Sequence, residues 1–177
     1  MTMGLPAALL PLVAAAYLPS APDLGKAEAL CRPGEKGPAL LVAVTGLKDR
    51  QGRLKLEVYP SNNEDFLADD NVLIAAGKVF RRAEEPVPHD GDPVMCIRLP
   101  SAGAYSVSLL HDRDSNRKFG WTIDGIGFAG NPRLGWGKPK AAKSRVLAAG
   151  GLTRITIVMN YRNGLGVAPL RRKGTAQ

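Results

Sequence analysis

The chain has 177 residues, of which 45% are hydrophobic and 23% are charged, and its formal net charge at pH 7 is +8. This composition excludes a wholly disordered chain, and the length suits one domain with short terminal segments rather than two domains. The positive charge keeps polyanions open as partners, among them nucleic acid, anionic lipid headgroups and acidic envelope polymers, but it does not choose among them.

The N-terminal segment has the pattern of a secretory leader. Residues 1–21 contain no charged side chain and include the apolar stretch Leu5–Leu18, with small residues at Ala14 and Ala16 where signal peptidase prefers them. We therefore predict a signal peptide at residues 1–21 and a periplasmic or secreted protein. The segment departs from the usual pattern, since no Lys or Arg precedes the apolar stretch and two prolines interrupt it. An ordered N-terminal helix or a disordered tail is the alternative, and no transmembrane segment is expected in the mature chain.

The next segment, residues 22–38, is rich in Pro and Gly, which predicts a linker. It carries Cys31, and the other cysteine of the chain is Cys96. In an oxidising compartment the two would pair, and the bridge would attach the linker to a strand in the middle of the domain. Two buried thiols are the alternative if the export prediction is wrong.

From residue 39 onward, hydrophobic and polar residues alternate in short runs, as in half-buried β-strands. The first two runs, at 40–45 and 54–59, flank the polar turn Lys48–Gly52 and predict a hairpin with one buried face. After a loop at Pro60–Asn71, further strands are predicted at 77–83, 94–99, 105–111 and 152–160.

A long glycine-rich connection, Asp112–Gly151, separates the last two of these strands. Such a length is unusual in a compact domain, so we expect a short strand near Ile126–Ala129 within an otherwise functional or organised surface loop. Short strands without intervening helices predict an all-β antiparallel sandwich of about seven strands. The sandwich is expected to span residues 39–161, followed by a basic, flexible tail at 162–177.

Several short motifs occur in a fixed order along the domain: Val44–Leu47, Leu99–Tyr105, His111–Asn116, Gly125–Phe128 and Asn131–Pro132. Through them the chain from about Ala39 to Asn160 resembles the bacterial domain-of-unknown-function 2141 family. The resemblance implies an exported protein of Gram-negative bacteria with an immunoglobulin-like, transthyretin-like or carboxypeptidase-regulatory-like β-sandwich. It implies no established activity.

The chain departs from this family pattern at an acidic loop, where many relatives carry Asp-x-Asn-x-Asn-Gly. Arg117 occupies the glycine position here. Asp112, Asp114 and Asn116 have the spacing of the first three ligands of a calcium loop, which makes them candidate calcium ligands. A cation at the sixth position favours a hydrogen-bonded turn instead, so calcium is a minor alternative and no cofactor is expected.

Aromatic rings and cations are spread among the glycines of the long loop. Rings beside cations can stack on sugars or hold anionic groups, which makes Trp121, Phe128, Arg133 and Trp136 the candidate ligand-binding residues. The alternative is that the rings cover an open edge of the sandwich.

The sequence favours a non-catalytic accessory or binding domain that contacts an envelope component or a protein partner through the long loop and the basic face. An envelope protein, a glycan or an anionic lipid would suit it, and specific nucleic-acid binding is not expected. The alternative is an envelope enzyme or ligand carrier with a site around His111, Asp112 and Asp114. Because neighbouring strand residues point to opposite faces, His111 and Asp112 are poorly placed to form a catalytic dyad. The oligomeric state is not determined by the sequence.

Overall fold

The computed structural model describes residues 18–135 and 137–170. Most of the predicted signal peptide, Trp136 and the last seven residues lie outside the described residues. The strands are β1 (Ala39–Thr45), β2 (Arg53–Pro60), β3 (Arg81–Pro86), β4 (Val94–Arg98), β5 (Gly103–Asp112), β6 (Gly125–Phe128), β7 (Arg145–Ala148), β8 (Leu152–Val158), β9 (Asn160–Asn163) and β10 (Gly166–Pro169). One short helix, α1, spans Asp70–Ala75, and a 3-10 turn spans Ala141–Ser144.

The strands form two sheets, which confirms the predicted β-sandwich. The larger sheet has the order β10-β9-β6-β5-β2-β3, and β7 also pairs with β5, beside β6. The smaller sheet has the order β4-β1-β8. The strand pairs are antiparallel apart from β1 and β8, which run parallel in register from Ala39↔Leu152 to Thr45↔Val158. The hydrophobic alternation that predicted these strands does not indicate whether neighbouring strands run parallel or antiparallel.

The main hydrophobic core lies between the two sheets. From the smaller sheet it receives Leu40, Val42 and Val44 of β1, and from the larger sheet Leu54, Leu56 and Val58 of β2. Each of these side chains is at most 1% exposed. Burying an aliphatic side chain of this size contributes about 1.5–3 kcal/mol, so the alternating positions account for much of the driving force for folding.

The predicted hairpin between the first two strands is wrong. β1 pairs with β4 and β8, whereas β2 pairs with β3 and β5, so the turn between β1 and β2 crosses from one sheet to the other. Two strands that face each other across a core have the same alternation as two strands of one hairpin. At this crossing Gly52 has φ +72°, and a Cβ there would lie 2.0 Å from the carbonyl oxygen of Asp112.

Other differences concern short elements. The strand predicted at 77–83 lies at Arg81–Pro86, and the end of the predicted loop 60–71 begins α1. The described residues form ten strands rather than about seven, because the pattern did not reveal β7, β9 and β10. Each of these has four residues, which is too short for a clear alternation. The sheet therefore continues to Pro169, past the predicted boundary at residue 161.

The predicted disulfide is present. Cys31 and Cys96 are bonded, with their Cα atoms 5.7 Å apart, and the bond attaches the linker to β4. The linker is also held on β3, where the backbone N–H of Ala27 donates to the carbonyl of Arg82 at 2.8 Å. Within the described ranges, no helix has the length and apolar character needed to cross a bilayer.

A second hydrophobic cluster covers part of the outer face of the larger sheet. It consists of Tyr59, Phe66, Leu73, Phe80, Phe128 and Ala141. Phe66 lies edge to face against Tyr59 and Phe128, with ring centroids 5.6 and 5.9 Å away. Segments 61–80 and 130–141 therefore pack on the sheet from outside and leave an open cavity beside them.

Candidate functional site

A cavity of about 450 Å³ lies between the outer face of the larger sheet and the glycine-rich loop. Its floor consists of alternate residues of three neighbouring strands, since residues two apart on a strand point to the same face. These are Lys55 and Glu57 of β2, Ser108 and Leu110 of β5, and Ile126 and Phe128 of β6. The walls come from the surrounding segments: Leu67, Phe119, Trp121, Leu134, Lys138, Pro139 and Val167.

The structure brings two of the four predicted ligand-binding residues to this cavity. Trp121 and Phe128 line it, whereas Arg133 is exposed and does not. Trp136 lies outside the described residues, although Gly135 and Gly137 on either side of it line the cavity. Phe128 is only 4% exposed and packs on Phe66, on the outer face of the sheet rather than at an edge, because β6 lies between β5 and β9.

Most of the lining was not identified from the sequence. Phe119 is 45% exposed and Trp121 37% exposed, so both present apolar surface at the cavity. Lys55 and Glu57 have the alternation of an ordinary solvent-facing strand face, and Leu67 precedes the helix in a segment predicted as a loop. The sequence contained one indication of a covered outer face. On the short strand β6, Ile126 and Phe128 alternate with Gly125 and Gly127, so both large side chains point to the same, outer face.

A network of charges supports the polar end of the floor. The Glu57 carboxylate accepts hydrogen bonds from Arg82 Nε at 2.9 Å and from the Tyr59 hydroxyl at 2.7 Å, and Lys55 Nζ lies 3.3 Å away. Arg82 also pairs with Asp70 at 3.0 Å. Burial and the neighbouring Glu57 carboxylate raise the pKa of the Tyr59 hydroxyl far above its ordinary value, so it remains a hydrogen-bond donor.

Two lysines give the cavity its cationic groups. Lys55 Nζ donates to the carbonyl of Arg117 at 3.1 Å, and Lys138 Nζ donates to the carbonyl of Phe66 at 3.0 Å. An ammonium group has three donors, and these contacts leave donor capacity on both side chains. The site is therefore an apolar cavity with cations at its margin.

The acidic turn after β5 forms a separate cluster. Carboxylate oxygens of Asp112, Asp114 and Asp124 lie within 4.8 Å of one another. The predicted third ligand, Asn116, instead donates its side-chain amide to Asp114 at 2.7 Å. Asp124, which the calcium-loop spacing did not select, is the third carboxylate of the cluster.

Hydrogen bonds from the backbone hold this turn closed. Asp112 accepts from the N–H groups of Asn116 and Arg117 at 3.1 and 2.7 Å, and Asp124 accepts from those of Arg113 and Gly120 at 2.9 and 2.6 Å. Burial raises the pKa of Asp112, and its carboxylate neighbours add to the effect. The arrangement is that of a hydrogen-bonded turn, and calcium binding there stays the minor alternative that it was in the sequence.

His111 lies on the opposite face of β5 from the cavity and is fully buried. Its Nδ1 is 2.6 Å from the Tyr161 hydroxyl, and its Nε2 is 2.8 Å from the carbonyl oxygen of Gln51. Since a carbonyl only accepts, Nε2 carries the proton and Nδ1 accepts from Tyr161. Burial lowers the pKa of His111. The side chain thus joins the core to the Lys48–Gly52 turn, away from the carboxylates of Asp112 and Asp114.

Comparison with known sequences gives one family. Residues 42–156 match the profile of DUF2141, described as an uncharacterized protein conserved in bacteria. Searches among curated proteins and among solved structures found no match. The family match confirms the resemblance that the motifs indicated.

Proposed function

The chain belongs to the DUF2141 family, and we propose that it is an exported, non-catalytic binding domain that holds a small ligand in the cavity between the larger sheet and the glycine-rich loop. The ligand has an apolar body, since aromatic and aliphatic side chains form most of the lining. The same loop and the basic groups around it provide the contacts with the envelope.

The observation that carries this proposal is the cavity itself. Its volume of about 450 Å³ is within the range of about 300–1,000 Å³ that is common for small-molecule sites. Such sites combine a mostly apolar lining with a few polar groups that orient the ligand, and here Lys55, Ser108 and Lys138 supply those groups. The partly exposed rings of Phe119 and Trp121 would become buried when a ligand fills the space.

Export is supported by two features of the chain. The uncharged, apolar segment at residues 1–21 has the composition of a secretory leader. The Cys31–Cys96 disulfide fits an oxidising compartment, because structural disulfides persist there and are rare in the cytosol.

Catalysis around His111, Asp112 and Asp114 is not favoured by the geometry. Both ring nitrogens of His111 are engaged in the interior, with Tyr161 and with the backbone of Gln51. A general base must come within hydrogen-bond reach of its substrate, and His111 is 0% exposed.

The ligand proposal is tested with N-phenyl-1-naphthylamine, an uncharged fluorophore whose emission increases in apolar surroundings. We expect saturable binding at one site in the wild-type protein and loss of that binding in Leu134→Trp, which fills the cavity from its wall. Leu147→Trp is the matched control, because Leu147 is 71% exposed and does not line the cavity. Absence of saturable binding, or equal binding by both variants, would overturn the proposal.

Export is tested by mass spectrometry of protein expressed with its own N-terminus and recovered from cell fractions without reductant. We expect a periplasmic or secreted species that has lost a leader within residues 1–21 and carries a disulfide. A full-length, reduced species in the cytosolic fraction would contradict export.

A further inference from the structure

We propose that the ligand is an anionic amphiphile, with its apolar chain in the cavity and its acidic head, a phosphate or a carboxylate, held by Arg53, Lys55 and Arg117. This inference rests on the proposed function, because it assigns the chemical class of the ligand to the same cavity. It is carried by a second, smaller pocket that adjoins the cavity on the outer face of the larger sheet.

The second pocket has a volume of about 80 Å³ and is lined mainly by charged side chains. Four are basic, Lys26, Arg53, Arg82 and Arg117, and two are acidic, Asp23 and Glu84. A pocket of this size has room for a small polar group but not for an apolar body. Lys26 is paired with Asp23. In contrast, the single carboxylate of Glu84 lies 3.7 Å from Arg53 and 3.5 Å from Arg117, so these two guanidinium groups share one acidic partner and an anion would balance the second charge.

Two direct contacts join the pocket to the cavity. Lys55 lines the cavity, and its Nζ donates to the carbonyl of Arg117 in the pocket. Glu57 lines the cavity, and it accepts from Arg82 in the pocket. Arg53 and Lys55 are two residues apart on β2 and share its outer face, so their Cα atoms are about 6.5 Å apart. The two spaces are therefore neighbours on the outer face of β2, and the proposal places one ligand across both.

The basic side chains of the pocket differ in how many of their hydrogen-bond donors are already paired with acidic residues of the protein. Arg82 is paired with Glu57 and Asp70, at 2.9 and 3.0 Å, and serves the protein's own network. Arg53 Nε lies 3.7 Å from a Glu84 oxygen, which is too far for a hydrogen bond, and both Arg53 Nε and Glu84 Oε1 are buried without a partner among the described residues. The Arg53 side chain as a whole is 36% exposed, so an anionic oxygen in the pocket can accept from the accessible part of its guanidinium group.

Arg117 adds an independent reason. It has φ +66°, a left-handed backbone conformation that glycine adopts without strain, and yet the position carries a long cationic side chain. Its Nε lies 3.5 Å from Glu84, and its side chain is 47% exposed at the pocket. Strained backbone positions are concentrated at functional sites. Here the side chain places a second guanidinium beside Arg53. A guanidinium group forms bidentate hydrogen bonds with phosphate and carboxylate groups.

The test compares probes with one chain length and different heads. Dodecyl phosphate, dodecanoate, dodecyl trimethylammonium and dodecyl maltoside, each below its micelle concentration, are titrated against bound N-phenyl-1-naphthylamine. We expect the two anionic probes to displace the fluorophore with at least about tenfold higher affinity than the cationic and neutral probes, and only theirs to weaken as salt is raised. Equal affinity for all four heads would overturn the inference.

Variants locate the head group. Arg117→Gly and Arg53→Gln are each expected to weaken dodecyl phosphate binding by about tenfold while leaving the binding of the fluorophore and dodecyl maltoside unchanged. Arg133→Gln is the matched control, because it removes the same charge from an exposed position that lines neither pocket. Arg117→Gly relieves a strained conformation, so loss of folding is not expected. An equal loss of dodecyl phosphate affinity in Arg133→Gln would show that the preference for anionic heads reflects only the net charge of the protein. That result would overturn the inference.

Two further outcomes separate the possible failures. If the fluorophore does not bind at all, the proposed function fails; if it binds and the head charge has no effect, only the present inference fails. Inorganic phosphate alone is expected not to compete with dodecyl phosphate. Competition at comparable affinity would show a site for a free anion that is independent of the chain, and would also overturn the inference.

Discussion

The Nζ atom of Lys55 donates a hydrogen bond to the backbone carbonyl of Arg117 over 3.1 Å. This contact ties the turn that follows β5 to the outer face of β2, at the boundary between the cavity and the basic pocket. The carbonyl is presented to Lys55 by a residue with φ +66°. The strain at Arg117 and the position of Lys55 are therefore linked through one hydrogen bond.

Replacing Arg117 with glycine should stabilise the protein. A non-glycine residue in the left-handed region costs about 1–2 kcal/mol, partly offset by the extra freedom that glycine gives the unfolded chain, so we expect a gain of about 0.5–1 kcal/mol. The backbone contacts with Lys55 and Asp112 are retained. Urea unfolding measures the change, with Lys118→Gly as the control, where glycine should destabilise. A loss of stability in Arg117→Gly as large as the control's would contradict the strain argument.

Gly127→Ala should destabilise the sandwich by about 1–3 kcal/mol through overpacking. A Cβ at Gly127 would lie 2.5 Å from Cγ2 of Ile157 and 3.1 Å from Sδ of Met159, both in the core. Gly150→Ala is the control, since a Cβ there meets nothing within 4 Å. The two are compared by thermal and urea unfolding, and equal stability of both variants would argue against this close approach of β6 to the smaller sheet.

The stability of the protein should fall with acidity in a way that depends on His111. Burial lowers the pKa of its imidazole below the ordinary 6.5. Between these two values the unfolded chain binds a proton that the folded protein does not, so the free energy of unfolding decreases as pH falls from about 6.5. We expect this decrease between about pH 6.5 and 5.5 to be smaller in His111→Gln than in the wild type.

The exposed His89 provides the control for that experiment. His89→Gln should keep the wild-type decrease in unfolding free energy over the same interval. An unchanged decrease in His111→Gln would show that other groups cause it.

Asp114→Asn should stabilise the acidic turn at neutral pH by a few tenths of a kcal/mol, because it removes like charge from beside Asp112 and Asp124. The Asn116 N–H can still donate to the side-chain oxygen at this position, and the exposed hydrogen bond from Asn116 Nδ2 to the second oxygen is lost, which keeps the expected gain small. Calcium should raise the melting temperature of neither the wild type nor the variant, since a calcium site needs about six to eight oxygen ligands and backbone N–H groups already use Asp112 and Asp124. A calcium-dependent rise in the wild type that Asp114→Asn abolishes would instead identify a metal site.

The sequence predicted the parts of the fold that depend on local pattern. Alternation at Leu40, Val42 and Val44 identified a buried strand face, and those residues are in the core. The two cysteines indicated a bridge between the linker and a middle strand, and the bridge is present. The sheet to which each strand belongs depends on contacts between distant residues, which is why the first hairpin was predicted wrongly.

The candidate site was less accessible to sequence reasoning for the same physical reason. Trp121 and Phe128 stood out as aromatic residues in a glycine-rich loop, and both line the cavity. Lys55 and Glu57 have the pattern of a solvent-facing strand, and it is tertiary packing, such as that of Phe66 against Phe128, that covers part of this face. These two rings come from segments far apart in the chain, so no local pattern could reveal this packing.

The most direct test of the binding proposal is two-dimensional NMR of isotope-labelled protein titrated with N-phenyl-1-naphthylamine. The proposal predicts that the largest shifts occur at the Trp121 indole N–H and at the backbone amides of Ser108, Leu110 and Ile126, whose side chains line the cavity. No shifts, or shifts confined to the turn at residues 112–116, would contradict a ligand site in the cavity.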